Sequence, residues 1–480
     1  MRNSLRWAIL GCLLLGSVCG QAESVEVCPA PADEELSKDF TVEVAGKAVP
    51  VYVAKVAPAD RERRWKAMDD KARSADYFEK ASFCYFDMEG PVRVTVTCPE
   101  QIRSVKVLPS SFKIAAQTKD KSLSFTLETP KPISIEVNDE WVGSLHLFAN
   151  PAEKNAPKPG DTNVLYFGPG IHEVKHLVVT NNQIVYVAGG AVVRGVIGPE
   201  EPFQISSYSG LRTYSPTFVL RGTNIQFRGR GIVDGSRCTT HARNLIQLEG
   251  NDIALEGVIL RDSSTWNIPI RKSERVMVKN LKLLGYRANS DGIDICNSRQ
   301  VTVEDCFIRT LDDLIVVKTD KGQGEAEHIV ARYCVLWNEV AHALSVGAEL
   351  RENVDDVLFT NCDVIHDKGR EWTLRVYHCD SARISNIRFE DLRIEESPRL
   401  ISLWIDKAFW TRDSERGHID GVVFRNVRAT ANPLHIELKG FDEAHGVENV
   451  SFQNVTVNGT PLSEADVKTN SFVRNVKIQR

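Results

Sequence analysis

Between residues 38 and 148 apolar and polar positions alternate with period two. FTVEVAG (40–46), VPVYVAKV (49–56), VRVTVTC (92–98), SVKVLP (104–109), LSFTLET (123–129) and ISIEVND (133–139) each offer one apolar and one polar face, with turn residues between them. The alternation predicts a small β-sandwich over residues 25–149. Residues 59–80 interrupt it with a highly charged stretch that reads as a long loop or a short helix, and no cluster of acid, base or nucleophile stands out in this region. Residues 150–163, NPAEKNAPKPGDTN, read as a linker.

From residue 164 the pattern becomes a repeat. Short alternating segments begin at Ile225, Ile253, Val276, Val301, Ile329, Val357, Ile387, Val422 and Val450, spaced 23 to 35 residues apart. Their fifth positions are Gly229, Gly257, Asn280, Asp305, Tyr333, Asn361, Asp391, Asn426 and Asn454. All but Tyr333 are residues that accept a left-handed corner at low cost. Strand, one-residue corner, strand and variable loop make one coil of a parallel β-helix, whose stacked coils bury each other's inward side chains. A leucine-rich repeat is the rival, but neither its dense leucine pattern nor its helical half is visible. The expected fold class is therefore all-β: a right-handed parallel β-helix over residues 164–480, preceded by the sandwich. Cys306, Cys334 and Cys362 occupy the sixth position of three successive coils and read as a ladder of buried free thiols, with a disulfide as the alternative.

The first residues add a destination. Arg2 and Arg6 precede the apolar run Trp7–Val18, and Gly20-Gln21-Ala22 follows it, which reads as a signal peptide over residues 1–22. The expected product is secreted or periplasmic, monomeric and not membrane-bound once the signal is removed; lipidation at Cys19 is the alternative. Nine of eleven cysteines lie beyond the signal and no CxxC pair occurs, so no zinc site is expected. A net charge of −5 without a basic block excludes a nucleic-acid partner.

Chemistry enters through the acids. Asp291, the pair Asp312 and Asp313, His342 and Arg375 all fall just beyond the second strand of successive coils, so stacking in register should gather them on one side. Like charges at that spacing raise one another's pKa, as glycoside hydrolysis needs: one carboxylic acid stays protonated and a carboxylate activates water. A calcium site is the alternative use of such a cluster. Neighbours in a strand point to opposite faces, so Asp312 and Asp313 can both reach a cleft only if the strand ends or bends there. Trp404 lies near the same patch and is a candidate sugar platform.

At these residues the sequence resembles glycoside hydrolase family 28, the polygalacturonases. NSDGIDI (289–295), TLDDLIVVK (310–318), AHALSVG (341–347) and LRVY (374–377) are similar to that family's NTD, DD, GHG and RIK motifs. LYFGPGIHEV (165–174) and IVYVAGGAVVRG (184–195), behind a sandwich, resemble the front end of the dextranase-like family 49 of the same clan. The resemblance implies a polysaccharide substrate and no cofactor or metal. It implies Asp312 as general acid and Asp291 and Asp313 as the pair that holds and deprotonates water, with inversion. It also implies His342 beside the acid, Arg375 against the sugar and Asn289 supporting the cluster. The chain departs from the motifs at Ala341 and Ala343, where GHG has glycines, and at Tyr377, where RIK has lysine. A single Arg375 can still bind a carboxylate, whereas a tyrosine suits stacking or a neutral hydroxyl. The expected function is a secreted inverting hydrolase of α-glycosidic bonds in a pectin-like or related glycan. A hydrolase of neutral α-glucan, a lyase and a non-catalytic polysaccharide binder are the alternatives.

Overall fold

The computed structural model describes residues 24–69 and 77–480, so the expected signal peptide lies outside the described residues. Two sheets form the first unit. One has the strands Lys47–Val49, Thr41–Val44, Val92–Thr97, Ser122–Leu127 and Gln117–Lys119; the other is built around Glu79–Glu89, Glu140–Pro151, Pro132–Val137 and Val105–Leu108, with Ser24–Glu26 and Tyr52–Val56 both paired to Glu79–Glu89. Val42, Val94, Val96 and Phe125 of the first sheet meet Phe86, Ile135 and Leu147 of the second in one core, which is the sandwich that the alternation predicts. Its two longest strands, Glu79–Glu89 and Glu140–Pro151, escape the period-two pattern because they are buried on both faces. The charged stretch contains the helix Arg61–Asp69. The last sandwich strand runs through Asn150, which is buried rather than part of an exposed linker.

The remainder is the expected β-helix. All nine repeat starts stack in parallel register, from Ile225 on Ile253 to Val422 on Val450, and Val476 adds a tenth rung after them. All nine corner residues have φ between +52° and +139°, Tyr333 included. At Gly229 a Cβ would lie 2.0 Å from the Val187 carbonyl oxygen, so close approach as well as φ demands glycine there. The nine cysteines among the described residues are free, and the thiols of Cys306, Cys334 and Cys362 each donate to a carbonyl two residues back, at 3.3 Å.

In the second strand of the coils beneath the sandwich neighbouring residues face different cores. Ile308, Leu336 and Val364 point into the β-helix, whereas Phe307, Val335 and Ile365 pack outward against Tyr52, Phe83 and Phe148 of the sandwich. The sandwich is thereby seated on one flank of the helix. On the side facing the loops after these strands, its helix Arg61–Asp69 presents Ala67 to Leu311 and Val340. Among the described residues no helix is long and apolar enough to cross a membrane.

Candidate active site

The strand Phe307–Thr310 stops before the acidic pair and the next begins at Ile315. The intervening turn releases Asp312 and Asp313 from strand alternation, and both line one cleft. Asp291 arrives from the equivalent turn of the preceding coil, before Ile293–Cys296, and His342 from the turn of the following one, before Leu344–Leu350. The cleft encloses about 430 Å³. One oxygen each of Asp291, Asp312 and Asp313 lie within 4.8 Å of one another.

The outer face of the third strands completes the site. Ile293 and Ile295 point into the core and Asp294 between them points out, as do Lys318 and Arg375 on later rungs. The Lys318 ammonium is 3.0 Å from Asp291 Oδ2, 2.8 Å from Asp294 Oδ1 and 3.8 Å from Asp313 Oδ2. A buried cation supplied by the chain thus pairs with Asp291 and Asp294. Asp313 accepts from His342 Nδ1 at 2.6 Å, and Arg375 Nη1 donates to His342 Nε2 at 2.9 Å and to Glu371 at 2.8 Å. Asn289 donates to Asp312 Oδ2 at 3.3 Å and accepts at 2.8 Å from Nε2 of His241.

These surroundings separate the acids. Burial, and then the charge of Asp313, pushes Asp312 up to about 7. Asp313 is buried too, but His342 and Lys318 outweigh burial and hold it below the ordinary carboxylate range. Burial followed by the charge of Asp294 raises Asp291 well above that range. Burial brings Asp294 to about 6 against the pull of Lys318. Burial disfavours the Lys318 charge, yet Asp294 and Asp291 keep its pKa well above the usual lysine value. The cluster therefore pairs a carboxyl that holds its proton near neutrality with one that is ionised there.

Tyr377 lines the cleft with its ring 3.7 Å under the Arg375 guanidinium. Trp404 sits one rung further and packs edge-on against Tyr377 at 5.2 Å, outside the cleft lining. Two loops meet over the site. Tyr208, from the hairpin of Phe203–Ile205 and Arg212–Tyr214, stacks on His241 at 5.8 Å and touches Trp410, from the loop after Ile401–Ile405, at 5.2 Å. Met68 of the sandwich helix and Trp266, whose ring lies 4.3 Å from Lys318 Nζ, add further walls.

Asp291, Asp312, Asp313, His342 and Arg375 thus come together as the register predicts, and Asn289 and Tyr377, named through the resemblance, lie with them. Asp294, a lone charge between Ile293 and Ile295, and its partner Lys318 are residues that the register argument did not include. His241, Tyr208 and Trp410 lie in irregular segments and carry no periodic signal.

The family model described as "Glycosyl hydrolases family 28" matches residues 222–479. An exopolygalacturonase of Arabidopsis thaliana is 25% identical over 231 residues, 44% of this chain and 51% of that protein. The chain spans about half the length of the curated relatives it matches. The Family 28 exopolygalacturonase of Yersinia enterocolitica superposes with a TM-score of 0.53 at 16% identity, over 96% of this chain and 97% of that one. Dex49A from Penicillium minioluteum gives a TM-score of 0.57 at 14% identity, over 93% and 94%.

Proposed function

The chain belongs to glycosyl hydrolases family 28, and from that premise we propose that it is a secreted hydrolase of α-glycosidic bonds in a pectin-like polysaccharide. The observation that carries the reading is the split between Asp312 and Asp313, adjacent carboxyls of opposite pKa shift in one cleft. Asp312, protonated near neutrality, gives its proton to the leaving glycosidic oxygen. Asp313, ionised, takes a proton from the attacking water. Asp291, which lines the cleft beside Asp313, holds that water. Its raised pKa keeps Asp291 protonated, which leaves Asp313 as the ionised carboxylate able to accept the proton.

Inversion is the proposed stereochemistry. Asp313 and Asp291 each face the Lys318 cation, and Asp313 also accepts from His342. Such pairing weakens a carboxylate as a nucleophile but leaves it able to orient water. A double displacement is the second reading, because a spacing within 4.8 Å is nearer the roughly 5 Å of retaining pairs than the roughly 6.5–9.5 Å of inverting ones. Proton NMR of the first-formed product decides: the inverted anomer supports the proposal, and the retained anomer transfers Asp291 or Asp313 to a nucleophilic role.

Two features refine the substrate. With Asp312 and Asp291 holding their protons, the cleft lining carries Asp313, Glu349 and Glu371 against Lys318 and Arg370, so it has no cationic excess to favour a densely anionic chain. Tyr377 in place of a lysine points the same way. We propose that the sugar seated on Tyr377 is neutral or substituted. The contact of Tyr208 with Trp410 over the cleft supports attack near a chain end. A reducing-end assay on esterified pectin, homogalacturonan, dextran and related glucans tests both points. Release of short products from esterified or neutral-sugar pectin is expected; preferred mid-chain cutting of unsubstituted homogalacturonan overturns them.

A further inference from the structure

A second groove lies at the corners between first and second strands, across the sandwich from the cleft. It encloses about 480 Å³ where the coils meet the sandwich. Tyr333 stands in it, 53% exposed, with φ +57°. Every other corner of the nine repeats uses Gly, Asn or Asp. A bulky side chain in this conformation costs roughly 1–2 kcal/mol, and burial does not offset the cost because the ring faces solvent. Conformational strain that packing does not explain is a pointer to function.

The surroundings describe a ligand. Phe112 and Pro132 of the sandwich give the groove an apolar wall, and Asp305 and Asn361 line it on the rungs flanking Tyr333, with Asn280 one rung further. Lys131, Lys279 and Arg393 are matched in number by Glu256, Asp305 and Asp363. Arg393 is paired with Asp363 at 2.6 Å, and Lys279 with Glu304 at 2.7 Å. The Arg332 guanidinium, 5.8 Å from the Tyr333 ring centroid, is itself held by Glu304 at 2.6 Å. A charge-balanced groove with an exposed aromatic ring, an apolar wall and a row of carboxamides and carboxylates matches a molecule that has an apolar face and many hydroxyls. We propose that this groove is a second, non-catalytic binding site for a neutral glycan chain, with Tyr333 as its stacking platform.

Affinity electrophoresis of the full chain through native gels holding galactan, arabinan or dextran tests the site. The Asp312→Asn background is used so that turnover plays no part and the outcome is independent of the hydrolytic assignment. At least one gel is expected to retard the protein, and Tyr333→Asn is expected to weaken that retardation five-fold or more. Because asparagine fits the corner, Tyr333→Asn should also keep or raise the thermal midpoint, so lost binding cannot come from lost folding. The proposal is overturned if no neutral glycan retards the protein, if Tyr333→Asn is retarded as strongly as its parent, or if the substitution affects only a homogalacturonan gel.

Discussion

Nδ1 of His342 lies 2.6 Å from Oδ1 of Asp313. Arg375 reaches the opposite ring nitrogen and can only donate, so Nε2 accepts and the ring proton sits on Nδ1, facing Asp313. The imidazole is thus a positioning group that keeps Asp313 ionised. His342→Ala should lower kcat by on the order of a hundredfold and move the acid limb of the pH–rate profile upward, because Asp313 loses the donor that depresses it. A change in kcat with an unmoved acid limb would reduce His342 to a packing role.

The wild-type profile follows from the same split. Activity requires Asp312 protonated and Asp313 ionised. It should fall as pH rises past about 7, where Asp312 loses its proton, and fall again only at pH below the ordinary carboxylate range. Stability carries the matching sign. The folded state keeps the Asp312 proton that the unfolded chain releases near pH 4, so this carboxyl destabilises progressively from about pH 4 to about 7. Asp312→Asn should therefore raise the thermal midpoint more at pH 8 than at pH 4, and an equal gain at both would contradict the shift.

Lys318 is the buried counter-ion of Asp291 and Asp294. Lys318→Met leaves those acids without a cation and should cost about 3–5 kcal/mol at pH 8. The loss should shrink at pH 5, where the stranded carboxyls can take up protons. Chemical unfolding at the two pH values measures it.

Tyr377→Lys puts an ammonium beside Arg375 and restores the basic pair of the resembling motif. KM for homogalacturonan oligomers should drop several-fold, with little change for neutral or esterified substrates. An unchanged ratio would mean that position 377 does not read the substrate's charge.

The coil architecture was legible because each corner needs a left-handed residue and each strand an inward apolar side chain, which fixes register and hence the meeting of Asp291 with Asp312 and Asp313. Two sandwich strands were not, since Glu79–Glu89 and Glu140–Pro151 are covered on both faces and lose the alternation that betrays a half-buried strand. Trp404 falls outside the cleft because the repeat gives a residue's rung, while the loops decide how far along the helix the cleft extends. Those loops, carrying Tyr208 and Trp410, have no periodicity from which their meeting could be inferred.

The central claim is that Asp312 donates the proton that breaks the glycosidic bond. Turnover of the best substrate of the panel by Asp312→Asn, with circular dichroism and the thermal midpoint as controls of folding, tests it most directly. The account predicts a loss of at least about a thousandfold in kcat with the fold retained. Hydrolysis at the wild-type rate in the folded variant would contradict it.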